Sequence, residues 1–113
     1  MRMRKKLLKR KKNKAREERL AKVLRERSEE RCEYCGRDGC DPAHIIPREH
    51  LKTKYVLENL LYFCRACHNF FDNNVAFRKH IILILIKREK YERLQKIAKG
   101  KASVEEYGYT EVA

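Results

Sequence analysis

Four of the five cysteines form two pairs with the spacing of a metal site. The pattern is Cys32-x2-Cys35, then 28 residues, then Cys64-x2-Cys67. A C-x-x-C turn holds two sulfurs about one tetrahedral edge apart, and two such turns complete a closed zinc site with four thiolate ligands. The spacing therefore predicts one structural Zn²⁺ ion. Two unrelated pairs of buried or redox cysteines are the alternative interpretation.

Cys40 falls outside this pattern. It is open to three interpretations: a spare ligand, a buried small hydrophobe or a free thiol. A lone cysteine is most often a buried thiol, which is what we expect here. His50 could also be offered as a ligand, but a loop histidine of this kind is more often simply exposed.

A second group of polar residues lies between and beside the cysteines. His44, Asn59 and His68 have the spacing H-x14-N-x8-H, and Asp72 follows His68 by four residues. On a helix, residues four apart share a face. An imidazole titrates near neutral pH, which suits it to proton transfer. Taken singly, His44 could be a half-buried strand histidine, Asn59 a turn residue and His68 a spare zinc ligand.

Together these residues resemble the HNH, or ββα-metal, endonuclease family. The H-x14-N-x8-H spacing is similar to that of colicin-type nucleases. The C-x-x-C pairs around it look like the zinc-containing HNH nucleases of phages and restriction systems. The basic N-terminal arm and the helix after the motif give a looser likeness to phage NinG-type recombination nucleases. The resemblance covers about residues 32–73.

The resemblance implies a role for each residue of the motif. His44 would be the general base that takes a proton from the attacking water. Asn59 would orient His44 or brace its loop. His68 and Asp72 would bind a catalytic Mg²⁺ or Mn²⁺ ion, which suits a mixed site with open positions. The implied reaction is hydrolysis of DNA that leaves 5′-phosphate and 3′-hydroxyl ends.

One position departs from the family. Many members carry a metal-binding Asp or His directly before the first histidine, where this chain has Ala43. Asp41 would then be a third metal ligand, although a weaker one because it lies two residues before Ala43. Arg48 and Arg65 are candidates for phosphate contact, since arginine binds phosphate through several donors.

The elements that must position these residues indicate an α+β fold. We expect a small ββα-metal core with a four-cysteine zinc knuckle, between a basic N-terminal helix and a C-terminal helical segment. The patterns predict strands over 43–46 and 59–63, a helix from 67 to about 72, a break at 73–74, and a helix over 75–99 with a bend near 87–90 and Gly100 as its cap. The apolar face of the last helix would consist of Phe77, Ile81, Ile84, Leu85, Tyr91, Leu94 and Ile97.

The charge balance points to a polyanionic partner. The chain carries 29 Lys and Arg against 16 Asp and Glu, a net charge of +13. Residues 1–31 hold 15 of these cations and 5 of the acids, and therefore supply +10. We expect a helix from 15 to 30, frayed residues 1–14 and DNA-backbone contacts in this arm. The cations proposed for these contacts are Lys5, Lys6, Arg10, Lys11 and Lys12.

The expected organisation is a basic arm (1–31), a nuclease core (32–74), a C-terminal helical segment (75–100) and a loose tail (101–113). The absence of a signal-like segment and the odd cysteine count favour a cytoplasmic protein, near the nucleoid or in a phage-infected host. Duplex or branched DNA is the expected partner, no membrane is expected, and the apolar helix face could pack on the ββα unit or pair with a second copy. The alternatives are a non-catalytic zinc-dependent DNA-binding or recombination accessory protein, and a zinc ribbon that binds RNA or the ribosome.

Overall fold

The computed structural model describes residues 2–113, and its longest element is the N-terminal helix α1 (Arg2–Ser28). The prediction of a frayed segment over 1–14 is therefore wrong for all of it except Met1, which lies outside the described residues. The stretch has no Pro or Gly and is rich in Lys, Arg and Leu, which favour helix. Leu20 and Leu24 are buried, so the second half of α1 packs on the core. In residues 2–113, no helix has the length and apolar character needed to cross a bilayer.

Two short antiparallel strands form the sheet. β1 (Asp41–His44) pairs with β2 (Leu60–Phe63), and Ala43 lies opposite Leu61. β1 lies two residues earlier than predicted because the ladder continues into the preceding turn, where the Cys40 amide donates to the Phe63 carbonyl at 2.9 Å. The α+β class, with a small sheet beside the cysteine cluster, is confirmed.

Both faces of β2 are buried, against different partners. Leu61 and Phe63 face one hydrophobic cluster, to which the helices after β2 contribute. Leu60 and Tyr62 face a second cluster, to which α1 contributes Leu20 and Leu24. Because side chains alternate along a strand, the four residues of β2 contact α1 on one face of the strand and the later helices on the other.

Three helices follow β2: α2 (Arg65–Asn73), α3 (Val75–Ile81) and α4 (Arg88–Ala98). The break between α2 and α3 lies where the two asparagines predicted it. Asn74 is outside both helices, and its side chain accepts a hydrogen bond from the Phe77 amide at 2.9 Å.

A π-helical turn over Ile82–Ile86 separates α3 from α4. Its wider repeat places Ile86, five residues after Ile81, on the buried face. Ile84 and Leu85 are exposed at 45% and 37%, so their predicted place on the apolar face is wrong. Lys87, with φ of 71°, makes the predicted bend. Gly100, with φ of 74°, follows the end of α4.

The C-terminal residues are not the loose tail that the sequence suggested. Val104 is buried, and Glu111 forms a β-bridge with Val56. Arg16 of α1 donates from Nε to the carbonyl of Val112 at 2.6 Å. The chain end therefore holds α1 against the loop before β2.

Candidate functional site: a cysteine cluster beside a basic cleft

The two C-x-x-C pairs converge in the fold. Cys32 and Cys35 lie in the turn before β1, and Cys64 and Cys67 lie at the start of α2. The four sulfurs all lie within 4.8 Å of one another, and the Cys35 and Cys64 sulfurs are 3.7 Å apart. Zinc–sulfur bonds of about 2.3 Å give tetrahedral edges of about 3.8 Å. The donor set and its spacing therefore fit one zinc ion.

Local structure fixes this geometry. Gly36, with φ of 78°, makes the turn between the first pair and β1. Gly39 lies against the ring of Tyr62, which leaves no room for a Cβ at this position. Cys64 is the N-cap of α2, and its sulfur accepts a hydrogen bond from the Cys67 amide at 3.4 Å. A helix N-terminus stabilises negative charge, which favours the thiolates that bind metal.

The thiol pKa values differ within the cluster. Burial alone would raise the pKa of Cys32, but hydrogen bonds from backbone amides, including that of Cys35, lower it to about 7. Burial and the neighbouring thiols raise the pKa of Cys67. A bound cation would favour the deprotonated form of all four thiols.

The remaining two candidates lie outside the cluster. Cys40 is exposed, so the expected buried thiol is wrong. Its sulfur lies 3.5 Å from Asp41 Oδ1 and 3.5 Å from Arg65 Nη2. His50 is exposed, as expected for a loop histidine.

A cleft of about 690 Å³ lies between α1 on one side and β1, the loop after β1, α2 and α3 on the other. Lys14, Glu17 and Glu18 of α1 form one side. The rest of the lining includes His44, Arg48, Lys54, His68, Asp72 and Arg78. The fold thus brings the predicted histidines and Asp72 to one concave surface rich in cations.

His44 ends β1 and is half-buried. Its Nε2 lies 3.1 Å from the carbonyl oxygen of Lys54. A carbonyl only accepts, so Nε2 carries the proton and Nδ1 is left as the basic nitrogen of the neutral ring. Burial lowers the pKa of His44, with the charges of Arg48 and Lys54 acting in the same direction. The neutral form is therefore favoured near neutral pH.

Asn59 makes no hydrogen bond to the His44 side chain. It is fully buried, and its side chain bonds both the amide and the carbonyl of Ile46, at 2.8 and 3.2 Å. It also donates to the Thr53 carbonyl at 3.0 Å. Of the two roles implied for Asn59, the contacts match bracing of the loop. That loop leads directly to Lys54, whose carbonyl holds His44.

His68 lies between two carboxylates. Its Nδ1 is 3.2 Å from Asp41 Oδ2, and its Nε2 is 3.1 Å from Asp72 Oδ2. The carboxylates thus lie on different edges of the ring. Within residues 2–113, the cysteine cluster is the one group of three or more His, Cys, Asp or Glu residues whose ligand atoms all lie within 4.8 Å of one another. Asp41 and Asp72 therefore do not converge on one point with His68.

Two of the predicted phosphate contacts are engaged with carboxylates. Arg48 Nη2 is 3.1 Å from Glu17, which is also 3.7 Å from Lys54. Arg65 donates from Nε and Nη2 to Asp41, at 2.8 and 3.3 Å. Although partial burial opposes it, hydrogen bonds from His68 and Arg65 lower the pKa of Asp41.

The cations of the arm lie on an exposed helix that leads away from the cleft. α1 passes the cleft at Lys14, which is exposed and belongs to the lining. The earlier cations continue the same helix and are all exposed: Lys5, Lys6, Arg10, Lys11 and Lys12.

The sequence did not single out Glu17, Lys54 or Arg78. Glu17 and Lys54 come from distant segments, so only the folded chain places them at the cleft. Arg78 lies ten residues after His68. The only sequence signal for Arg78 was its positive charge, which does not distinguish it among the 29 Lys and Arg of the chain.

Comparison with known families identifies part of this region. Residues 32–70 match the family model described as HNH endonuclease. The matched segment includes the four clustered cysteines together with His44, Asn59 and His68, and ends before Asp72 and Arg78. The predicted resemblance to the HNH family is confirmed for this segment, and the four-cysteine cluster is compatible with the zinc type. No curated protein and no solved structure matches the chain.

Proposed function

We propose, from the premise that residues 32–70 form an HNH endonuclease domain, that this protein is a metal-dependent endonuclease that hydrolyses DNA phosphodiester bonds. One observation carries the proposal. His44, His68 and Asp72 line the same cleft, and Arg48, Lys54 and Arg78 line it with them. A concave surface that combines cations, a base and metal-ligand side chains suits phosphodiester hydrolysis.

In this proposal His44 is the general base. Its Nε2–H donates to the Lys54 carbonyl, which leaves Nδ1 free to take a proton from an attacking water. The lowered pKa of His44 keeps it unprotonated at neutral pH. Asn59 is a positioning residue: it holds the loop whose Lys54 carbonyl fixes the ring of His44.

His68 and Asp72 are proposed to hold the catalytic Mg²⁺ or Mn²⁺ ion. They lie one helical turn apart on α2, with Nε2 and Oδ2 3.1 Å from each other. When bound, such an ion stabilises negative charge at the scissile phosphate and the leaving oxygen. Asp41, on the Nδ1 edge, is better placed to orient the His68 ring than to share its ion, and such carboxylate partners tune metal ligands.

DNA is proposed to follow α1 and enter the cleft. The exposed cations from Lys5 to Lys12 give α1 a charged surface for phosphates, and Lys14 extends it to the cleft. Arg48 would exchange Glu17 for a phosphate, and Arg65 would contact the backbone from the rim while it holds Asp41. Duplex or branched DNA is the proposed substrate, with 5′-phosphate and 3′-hydroxyl products.

The test is a cleavage panel with matched variants. Wild type is incubated with plasmid, single-stranded and branched DNA in Mg²⁺ or Mn²⁺, beside His44→Ala and the exposed-histidine control His50→Ala. We expect His44→Ala to cut at least about 100-fold more slowly and His50→Ala to cut like wild type. Equal trace cleavage by wild type and His44→Ala would refute the nuclease.

A second candidate is a DNA-binding accessory protein that does not cleave. The observation in its favour is Ala43, which is fully buried and offers no ligand at the usual metal position. This candidate predicts tight, salt-sensitive DNA binding with no products under any divalent ion. Binding of Mn²⁺ that depends on His68 and Asp72, measured by electron paramagnetic resonance, would count against it.

A further inference from the structure

Arg78 reaches the cleft from α3, outside the segment that matches the HNH family. Two kinds of contact hold its guanidinium group in place. Nη2 donates to the carbonyl of His44 at 3.3 Å and to the carbonyl of Ile45. The guanidinium carbon lies 4.3 Å from the centre of the Phe71 ring, a cation–π contact with a buried residue. A side chain held from two sides loses little further freedom when it binds a ligand.

These contacts leave most of the guanidinium available. Arginine has five N–H donors, and Nη2 uses its two on the carbonyls. In the described part of the chain, neither Nε nor Nη1 of Arg78 has a hydrogen-bond acceptor, and no carboxylate pairs with this residue. The free Nε and Nη1 donors belong to the same guanidinium group whose Nη2 bonds the backbone carbonyl of His44, the proposed general base.

The other cleft cations contrast with Arg78. Arg48 and Lys54 share the carboxylate of Glu17. Lys14 has no carboxylate partner among residues 2–113, but it is exposed on α1 and no hydrogen bond or ion pair to these residues fixes its side chain. Arg78 alone among these four combines a fixed position with an unneutralised charge.

We propose that Arg78 binds the scissile phosphate through its free Nε and Nη1 donors while Nη2 fixes the His44 backbone. This inference rests on the nuclease function proposed above. A donor aligned in advance on the phosphate stabilises the charge that develops as the nucleophile attacks. Arg78 thus supplies positive charge beside His44 from a helix that the family match does not include.

The first test is the salt dependence of DNA binding. Dissociation constants for a fluorescent duplex are measured over a series of NaCl concentrations, in the His44→Ala background so that the DNA stays intact. Arg78→Gln should weaken binding and lower the slope of log Kd against log salt by about one, the change expected for one lost phosphate contact. Lys79→Gln removes an equal charge from an exposed neighbour on α3 and should leave the slope unchanged.

The salt slope separates phosphate contact from a purely structural role. A residue that only held the His44 backbone would lower the thermal midpoint when replaced, without changing the slope. A folded Arg78→Gln protein with the parental slope would therefore overturn the proposal. An equal loss of slope in Lys79→Gln would overturn it as well.

The second test uses the rate of cleavage with His44 intact. Single-turnover rates at saturating DNA should fall about 100-fold in Arg78→Gln. Arg78→Lys, the variant to use if Arg78→Gln unfolds, should bind with the parental slope but cleave about 10-fold more slowly. A lysine keeps the charge without the planar group that reaches both carbonyls and phosphate. A wild-type rate in Arg78→Lys would refute the inference. If the wild-type protein does not cleave, the nuclease proposal fails and the salt slope still tests Arg78.

Discussion

The cysteine cluster and the His68 cluster are neighbours on α2, but they are built in opposite ways. Four sulfurs from two turns converge within 4.8 Å, and Cys32 is buried. At His68 the two carboxylates lie on different edges of one imidazole ring. The side chain of Asp72 is half exposed, at 51%.

This difference matches two kinds of metal site. A closed set of four protein ligands leaves no position for a substrate and serves the fold. A site with one or two protein ligands beside a cleft leaves positions for water and phosphate, as hydrolysis requires. The cysteine cluster would fix the distance between β1, which carries His44, and α2, which carries His68.

The largest expected effect comes from the closed cluster. Cys35→Ser should reduce bound zinc well below one ion per chain and unfold residues 32–74, because structural zinc contributes about 10 kcal/mol of binding free energy to folding. Metal analysis by mass spectrometry and circular dichroism measure the two losses. Cys40→Ser is the matched control and should keep both zinc and fold. A folded, zinc-loaded Cys35→Ser protein would contradict a four-cysteine site.

The next effect isolates the open cluster. His68→Ala should lower the cleavage rate about 1,000-fold, since a catalytic ion contributes several kcal/mol to the transition state. Zinc content and the far-ultraviolet spectrum should stay at wild-type values. The exposed-histidine variant His80→Ala should keep full activity. A His68→Ala protein that lost its zinc would mean that the two clusters form one site.

A smaller effect should distinguish the two carboxylates of the open cluster. Asp41→Asn should reduce the apparent Mn²⁺ affinity about 10-fold to 100-fold, as expected for a partner that orients a ligand. Asp72→Asn should reduce it more, because it removes the proposed direct ligand. Cleavage rates titrated with Mn²⁺ give both values. The reverse order would identify Asp41 as the ligand and Asp72 as its partner.

The smallest effect concerns the pH profile of the cleft. His44 must be unprotonated to accept a proton, and burial lowers its pKa below the usual 6.5. The midpoint of the acid limb of the rate profile should therefore lie below pH 6.5. Single-turnover rates across pH, at saturating metal, measure this limb. A midpoint above 6.5 would contradict the assignment of His44 as a buried base.

Much of the site could be predicted from short-range patterns. Spacing along the chain was enough to recognise three features of the site. These are the C-x-x-C pairs, the motif of His44, Asn59 and His68, and the one-turn separation of His68 and Asp72. The predicted strand over 43–46 was displaced because its register depends on a ladder that begins at Cys40. The predicted face with Ile84 and Leu85 failed because a π-helical turn changes the repeat after Ile81. The domain boundaries and the roles of the site residues remain proposals.

The sequence alone determined the cysteine cluster, the HNH motif and the basic arm, because ligand type, spacing and charge are written along the chain. Only the tertiary structure decided what surrounds His44. The carbonyl of Lys54 fixes its tautomer, Asn59 braces the loop beneath it, and Arg78 reaches its backbone from α3. Such contacts join residues 6 to 34 positions apart. Their geometry depends on how helices and strands pack, which no local pattern encodes.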